Sequence, residues 1–261
     1  MTLKLASKME NPDYLLAIDS GNTAIKWGLH DGLGWIENGV VLQSARETLQ
    51  QNLLRLPTVN RVIISNVMGK AAGDDIKALL DPMPVSHQWW ITAQINQCGV
   101  HNGYASPDQL GSDRWAALIA AWFHLRRECL VISIGTAMTV DVLSDTGEFR
   151  GGIILPGPKL MQQALVDQTA GIEMASSGKF QSLPDNTKDA VYSGMIQALT
   201  GAVERMYALI SSGTDKPPPM MLVSGGDAAI IREHFRQPCQ VMDNLVLEGL
   251  VVIAREMLDP A

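Results

Sequence analysis

Leu15-Leu16-Ala17-Ile18-Asp19-Ser20-Gly21-Asn22-Thr23-Ala24-Ile25-Lys26-Trp27-Gly28-Leu29-His30-Asp31-Gly32 is the stretch whose reading decides the fold. The apolar run Leu15 to Ile18 reads as a buried strand. It breaks at the turn formers Asp19 to Thr23, and an apolar run resumes at Ala24. The pattern is a strand, a tight glycine-containing turn and a returning strand, with a carboxylate, two hydroxyls and an amide gathered at the bend. Such a bend can cradle an anion, because Gly21 lets backbone amides approach phosphate oxygens while Asn22 and Thr23 add donors. Asp19 repels phosphate, so its natural partner there is a magnesium ion or an ordered water. Lys26 supplies a point charge on the returning strand. The same residues also make a good hairpin turn with no ligand, and this segment alone does not separate the two readings.

A second copy adds weight to the first reading. Ile132-Ser133-Ile134-Gly135-Thr136-Ala137-Met138-Thr139-Val140 is again an apolar strand, a Gly-Thr turn and a β-rich return. Gly135 minus Gly21, Leu143 minus Leu29 and Asp145 minus Asp31 each give 114. This constancy suggests a duplicated unit whose two hairpins face one another and grip a polyphosphate from both sides.

Composition narrows the class. With 261 residues, 46% hydrophobic and 18% charged, the chain is long enough for one large domain or two ordinary ones and for an enzyme. Twenty basic against 27 acidic residues give a net charge of −7, without any Lys/Arg block, so nothing attracts nucleic acid or an anionic membrane. Cys98, Cys129 and Cys239 are far apart and form no C-x-x-C pair. That argues against a zinc site or a disulfide framework, fits a reducing cytosol, and leaves each as a core filler. Met1 to Asp13 has no apolar h-region, and no apolar run reaches the ~18 residues of a membrane span. A soluble, cytoplasmic protein is expected.

Between and after the hairpins, strands alternate with helices, which indicates an α/β architecture. Ala45 to Leu56 has helical spacing and stops at Pro57. Arg61 to Val67 reads as a buried strand, Ala71 to Leu80 as a helix and Trp89 to Thr92 as a short strand. Cys98 to Leu110 reads as a loop carrying His101-Asn102-Gly103-Tyr104. Gly111-Ser112-Asp113-Arg114 then precedes a helix from Trp115 to Leu125. Ser112 or Asp113 is a good N-cap whatever the function, and Arg114 can pair with a neighbour. Later come a glycine-framed strand at Gly151 to Gly157, a helix over Lys159 to Val166 and a polar loop from Ser176 to Asn186. Asn186 or Thr187 is then a candidate N-cap for the longest helix, Ala190 to Ile210. A Gly/Pro linker at Ser211 to Pro219 leads to Met220 to Ala228, a strand, a Gly225-Gly226 turn and a helix start. That glycine pair suits either close approach to a flat ring such as adenine or a plain turn.

Taken together, D-x-G-N-T-x-x-K-x-G at Asp19 to Gly28, G-x-D-R at Gly111 to Arg114, G-T-A-x-T-x-D at Gly135 to Asp141, G-G-x-I-x-P-G at Gly151 to Gly157 and S-G-G-D-A at Ser224 to Ala228 resemble type III pantothenate kinase. The resemblance covers nearly the whole chain beyond the first dozen residues. It implies the superfamily of sugar kinases, heat-shock chaperones and actin. Two duplicated ribonuclease H-like domains of the actin-like ATPase fold would span 1–126 and 127–261, with the nucleotide in the cleft between them. The implied reaction moves the ATP γ-phosphoryl group to the primary hydroxyl of pantothenate, the first step of coenzyme A synthesis, in a homodimer.

Carried over position by position, the resemblance makes Asp19, Ser20, Gly21, Asn22, Thr23, Ala24, Ile25 and Lys26 the first phosphate loop and Thr136 the second phosphate contact. Gly225 and Gly226 would lie near adenine. Tyr104, Gly111, Ser112, Asp113, Arg114 and Thr187 would bind pantothenate, and Asp113 would accept the proton. Mg²⁺ would come with ATP at Asp19, directly or through water. Two positions depart from the family pattern. Ser112 replaces the commonest Ala of the acidic motif, and Ser133 replaces an aspartate that in many members holds K⁺ or NH₄⁺. The second change leaves the monovalent-cation requirement open.

The chemistry agrees with these assignments. A loose phosphoryl-transfer transition state needs positioning and charge neutralisation, which the two hairpins, Mg²⁺ and Lys26 would supply. The helix N-terminus would lower the Asp113 pKa, and Arg114 would hold the pantothenate carboxylate through a bidentate pair. Two alternatives stand beside the kinase: a non-catalytic regulatory or accessory protein on the same fold, and a kinase or phosphatase of another small substrate. Intact Asp19, Asp113 and Arg114, without a basic patch, favour the kinase.

Overall fold

A computed structural model of the chain describes residues 14–172, 178–211 and 217–259. Met1 to Asp13, Ser176 and Ser177 of the polar loop, and 212–216 of the linker lie outside the described residues, together with what was expected of them. The chain divides into two compact units, Met1–Ile91 and Thr92–Ala261.

The first unit holds β1 (Leu15–Ser20), β2 (Ala24–His30), β3 (Trp35–Leu42), α1 (Arg46–Leu53), β4 (Arg61–Asn66), α2 (Lys70–Leu80) and β5 (His87–Trp90). The second holds β6 (Asn96–Gln97), β7 (Val100–Asn102), α3 (Ser112–Leu125), β8 (Cys129–Ile134), β9 (Ala137–Leu143), β10 (Glu148–Pro156), α4 (Pro158–Gln168), α5 (Thr187–Ser211), β11 (Met220–Ser224), α6 (Ala228–Arg232), β12 (Cys239–Val241) and α7 (Leu245–Leu258). Among the described residues no helix is long and apolar enough to cross a membrane.

The first sheet runs β3-β2-β1-β4-β5, with β1, β2 and β3 an antiparallel meander and β4 and β5 parallel to β1. The second contains the same order and directions as β10-β9-β8-β11-β12, with β7 and β6 added beyond β10. The duplication read from the two glycine turns is therefore a duplication of topology. Its spacing is less uniform than the sequence suggests. β8 begins and ends 114 residues after β1 (129 − 15 and 134 − 20). Leu15 pairs with His30, however, and Cys129 with Leu143, so the returning strands are offset by 113 (143 − 30). Leu143 corresponds to His30 and not to Leu29, because residues 21–23 separate β1 from β2 whereas only 135 and 136 separate β8 from β9.

The boundary between the units also lies earlier than the expected 126/127 division. β7 pairs with the start of β10, and α3 packs on α7 so closely that a Cβ at Gly249 would run into the Ala116 backbone. These contacts tie residues 92–126 to the second unit. α3 is buried along most of its length, Trp115 and Leu118 to Ala121 being fully inaccessible. Side chains the size of Leu118 and Ile119 each contribute about 1.5–3 kcal/mol of burial.

The first core collects Leu16 and Ile18 of β1, Ile25 and Trp27 of β2 and Ile64 of β4 against α1 and α2. The second gathers β8, β9 and β11 under α5. Of the cysteines only Cys129 is a buried core filler, since Cys98 and Cys239 are half-buried. All three are free thiols, and burial pushes those of Cys98 and Cys129 up to about 12.

Candidate active site

In the first unit, β1 ends at the predicted phosphate turn. Asp19 and Ser20 are buried at the strand end, Gly21, Ala24 and Lys26 are half-buried, and Asn22 and Thr23 are exposed at the bend. The side chain of Ile25 is part of the core. The turn closes with the Gly21 N–H donating to the Ala24 carbonyl at 3.1 Å. Gln43 braces it from the start of the following helix. Its Nε2 donates to the Gly21 carbonyl at 2.8 Å and to Ser20 Oγ at 3.2 Å, and its N–H donates to the Thr23 carbonyl at 3.0 Å. Sequence reasoning missed Gln43, because a residue that supports a turn from two strands away leaves no local pattern.

In the second unit, Gly135 and the exposed Thr136 form the matching turn. The Gly157 N–H donates to the Thr136 carbonyl at 2.8 Å, which places the first turn of α4 beside it. The Asp227 N–H donates to the Ile134 carbonyl at 3.1 Å, bringing the Gly225-Gly226 turn to the same strand end. The glycines here have different reasons. Gly225 has φ +106°, and a Cβ there would collide with the Ile134 backbone, so the fold itself requires glycine. At Gly135 and Gly226 a Cβ would meet nothing within 4 Å, so the chain's own packing does not require their bareness.

The G-x-D-R segment forms the start of α3. Neither Ser112 nor Asp113 is the N-cap: that position belongs to Gly111, which gives no side-chain cap. Ser112 is buried in the first turn. Asp113 is half-buried, and its Oδ1 accepts the Arg114 N–H at 2.8 Å. Burial raises the Asp113 pKa above the ordinary carboxylate value, outweighing the Arg114 N–H and charge. This reverses the lowering expected from the helix N-terminus, because desolvation of a carboxylate in a largely covered position is the larger effect.

Arg114 does not extend its fork into open space. Its Nε donates to Asp141 Oδ2 at 3.1 Å and its Nη2 to Asp141 Oδ1 at 2.5 Å, with both side chains buried. Its Nη1 donates to Tyr104 Oη at 3.2 Å. The bidentate geometry anticipated for a substrate carboxylate is thus taken by Asp141. Tyr104 is positioned by the loop before α3, which contains β7 where an unbroken loop was expected. Its N–H donates to Asn102 Oδ1 at 3.1 Å, and its ring lies 5.1 Å from that of Phe149. Thr187 is exposed at the first position of α5, while Asn186 caps that helix by accepting the Asp189 N–H at 3.0 Å. Ser133 is half-buried on β8, paired with Thr139 of β9 and Ser224 of β11.

These positions can be compared with known proteins. The sequence pattern of the family described as type III pantothenate kinase matches residues 15–209. The chain belongs to this family. A type III pantothenate kinase of Nitrosomonas eutropha is 53% identical over 249 residues, covering 95% of this chain and 96% of that protein. One of Nitrosospira multiformis is 50% identical over 251 residues, covering 96% and 94%. Among solved structures, a protein titled as a 2-dehydro-3-deoxygalactonokinase of Sinorhizobium meliloti superposes with a TM-score of 0.59 at 14% identity, over 95% of this chain and all of that one. Likeness at that identity concerns the fold alone, and the fold is the one shared by actin-like ATPases and sugar kinases. The type III pantothenate kinase match takes in the Gly21 turn, the start of α3, Asp141 and Thr187, and it ends before the Gly225-Gly226 turn.

Proposed function

We propose that this chain phosphorylates pantothenate with ATP to give 4′-phosphopantothenate, the first step of coenzyme A synthesis. The observation that carries the reading is the polarity of the α3 start in a member of this family. A half-buried, acceptor-only carboxylate, Asp113, precedes a guanidinium that is hydrogen-bonded to the phenol of Tyr104. That set suits an alcohol whose hydroxyl gives up a proton and whose other polar groups accept hydrogen bonds.

In this reading residues 19–26 and Thr136 hold the ATP phosphates, and Gly226, supported by Gly225, lies against the adenine. Tyr104, Gly111 to Arg114 and Thr187 hold pantothenate. Asp113 orients the primary hydroxyl. As the hydroxyl oxygen bonds to the γ-phosphorus and the bond to the β,γ-bridging oxygen breaks, ADP leaves and Asp113 takes the proton. A pKa raised by burial makes Asp113 a better base than a solvated aspartate.

Asp19 fits a Mg²⁺ held chiefly by phosphates and water: it is one buried carboxylate, and among the described residues no cluster of three or more His, Cys, Asp or Glu could hold a metal by itself. Bound with the nucleotide, Mg²⁺ neutralises phosphate charge. Ser133 brings no carboxylate to the place where K⁺ or NH₄⁺ would sit, so the chain depends only weakly on either ion. It works as a cytoplasmic homodimer. Incubating purified protein with ATP and pantothenate, and following ADP release together with the mass of the product, tests the assignment. ADP release with another small alcohol but not with pantothenate would overturn it.

A further inference from the structure

Asp141 lies in the middle of β9, between the buried Val140 and Val142, and is itself only 1% exposed. A carboxylate in such a place is costly, and a well-packed apolar residue would serve the sheet as well or better. Burial accordingly raises its pKa, against the opposing pull of Arg114. Room has been made for it: Gly152 stands opposite on β10, where a Cβ would run into Asp141 Oδ1. Two strand positions are thus fitted to one carboxylate, whose oxygens take the Nε and Nη2 donors of Arg114.

The consequence reaches the loop before α3. A guanidinium has five N–H donors in a rigid fork. With Nε and one Nη2 hydrogen on Asp141, and one Nη1 hydrogen on Tyr104, a single hydrogen remains on each terminal nitrogen. The guanidinium carbon also lies 5.8 Å from the ring centroids of both Tyr104 and Phe149, so the plane has little freedom to turn. Tyr104 Oη accepts from Arg114, which leaves its own O–H hydrogen to donate elsewhere.

We infer that Asp141 is a positioning residue of the acceptor site. It clamps the Arg114 fork so that the outer edge of Arg114 and the Tyr104 hydroxyl present single donors in fixed directions beside Asp113. Charge compensation by Asp141 further means that Arg114 offers the acceptor directional hydrogen bonds and little uncompensated positive charge. The inference rests on the pantothenate kinase reading of this site.

Steady-state kinetics on the full chain with Asp141→Asn, Arg114→Gln and the double variant test it, each protein first checked for a cooperative thermal transition. Asp141→Asn should raise the pantothenate KM about 10-fold or more while the ATP KM stays within about 2-fold. Because Asp141 acts through Arg114, the double variant should be little worse than Arg114→Gln alone. The double variant also removes both buried charges together, which keeps a folded protein to measure if Asp141→Asn alone unfolds. Multiplying effects, equal losses for both substrates, or an unchanged pantothenate KM in Asp141→Asn would each overturn the inference while leaving the activity assignment intact. A wild-type protein without pantothenate turnover would remove that assignment and this inference with it.

Discussion

Asp19 on β1 and Lys26 on β2 are directly paired across the hairpin, which puts the carboxylate and the ammonium on one face of the sheet. The pair stands at the base of the turn whose tip exposes Asn22 and Thr23. Asp19→Asn keeps the shape and one acceptor oxygen but loses the charge that, in the proposed reading, compensates Mg²⁺. Turnover should fall by about 100-fold or more with the thermal transition retained. Near-normal rates at saturating magnesium would leave Asp19 a role in the hairpin only.

The glycines of the second unit give a paired prediction. Gly135→Ala adds a methyl to space that the protein leaves open, at a residue with ordinary φ, so stability should hold or rise by about 0.4–1 kcal/mol. If the turn holds an ATP phosphate as proposed, the ATP KM should nevertheless increase, because the methyl would occupy the room left for it. Gly225→Ala meets the Ile134 backbone at φ +106° and should lose stability by more than about 1 kcal/mol. Melting curves and ATP titrations on both variants separate the two kinds of glycine. Unaltered ATP kinetics in Gly135→Ala would detach that turn from the nucleotide.

What the sequence made legible was periodic or local. Alternating apolar runs and glycine turns marked β1, β2, β8 and β9, and the repeat between them announced the paired sheets. Helical spacing located α2, α3 and α5 to within a few residues. What it hid was non-local. Gln43 bracing Gly21, Asp141 seizing the Arg114 fork and Gly152 yielding space to Asp141 are contacts between different elements, and none follows a sequence period. The Asp113 pKa went the wrong way for the same reason. A helix start can be read from neighbours in sequence, but burial depends on what the rest of the fold lays over it.

Arg114→Ala should damage the fold as well as the site. It leaves Asp141, a carboxylate 1% exposed, with the Thr139 hydroxyl but without its charged partner, and should cost about 3 to 5 kcal/mol in urea denaturation at pH 7. The folded pKa of Asp141 already lies above its unfolded value through burial, and losing Arg114 raises it further. A raised carboxylate pKa stabilises the folded state fully below the unfolded pKa and ceases to do so as pH climbs through the folded one. The deficit of Arg114→Ala relative to wild type should therefore shrink on acidification toward about pH 4. A deficit independent of pH would show that lost packing, and not the stranded charge, is responsible.

The proposed weak dependence on K⁺ or NH₄⁺ can be tested at Ser133. The residue and its cross-strand partners, Thr139 and Ser224, carry hydroxyls, and Asp141, which is hydrogen-bonded to Thr139, is already compensated by Arg114. Exchanging sodium for potassium or ammonium in the assay should change turnover only slightly, and Ser133→Asp should increase the response. Absolute dependence of the wild type on potassium would show that other oxygens, such as backbone carbonyls, provide the site.

Asp113 carries the decisive prediction, because its two roles part company in one variant. Gly111 is the N-cap of α3, so Asp113 is not needed to start the helix, and an asparagine oxygen can accept the Arg114 N–H as the carboxylate does. Burial raises the folded pKa of Asp113, so holding it ionised at neutral pH works against stability. Asp113→Asn should thus match or exceed wild type in Tm at pH 7, and any advantage should fade on acidification as the folded carboxyl regains its proton, and be gone once the pH drops below the unfolded aspartate pKa of about 4. If Asp113 orients and deprotonates the pantothenate hydroxyl, the same variant should lose about 10²-fold or more in kcat with its ATP KM nearly unchanged. The wild-type kcat/KM for pantothenate should also fall on its acid side at a pH above the ordinary carboxylate range. A variant as stable as wild type that keeps most of its kcat would deny Asp113 the proton and leave the start of α3 without a base.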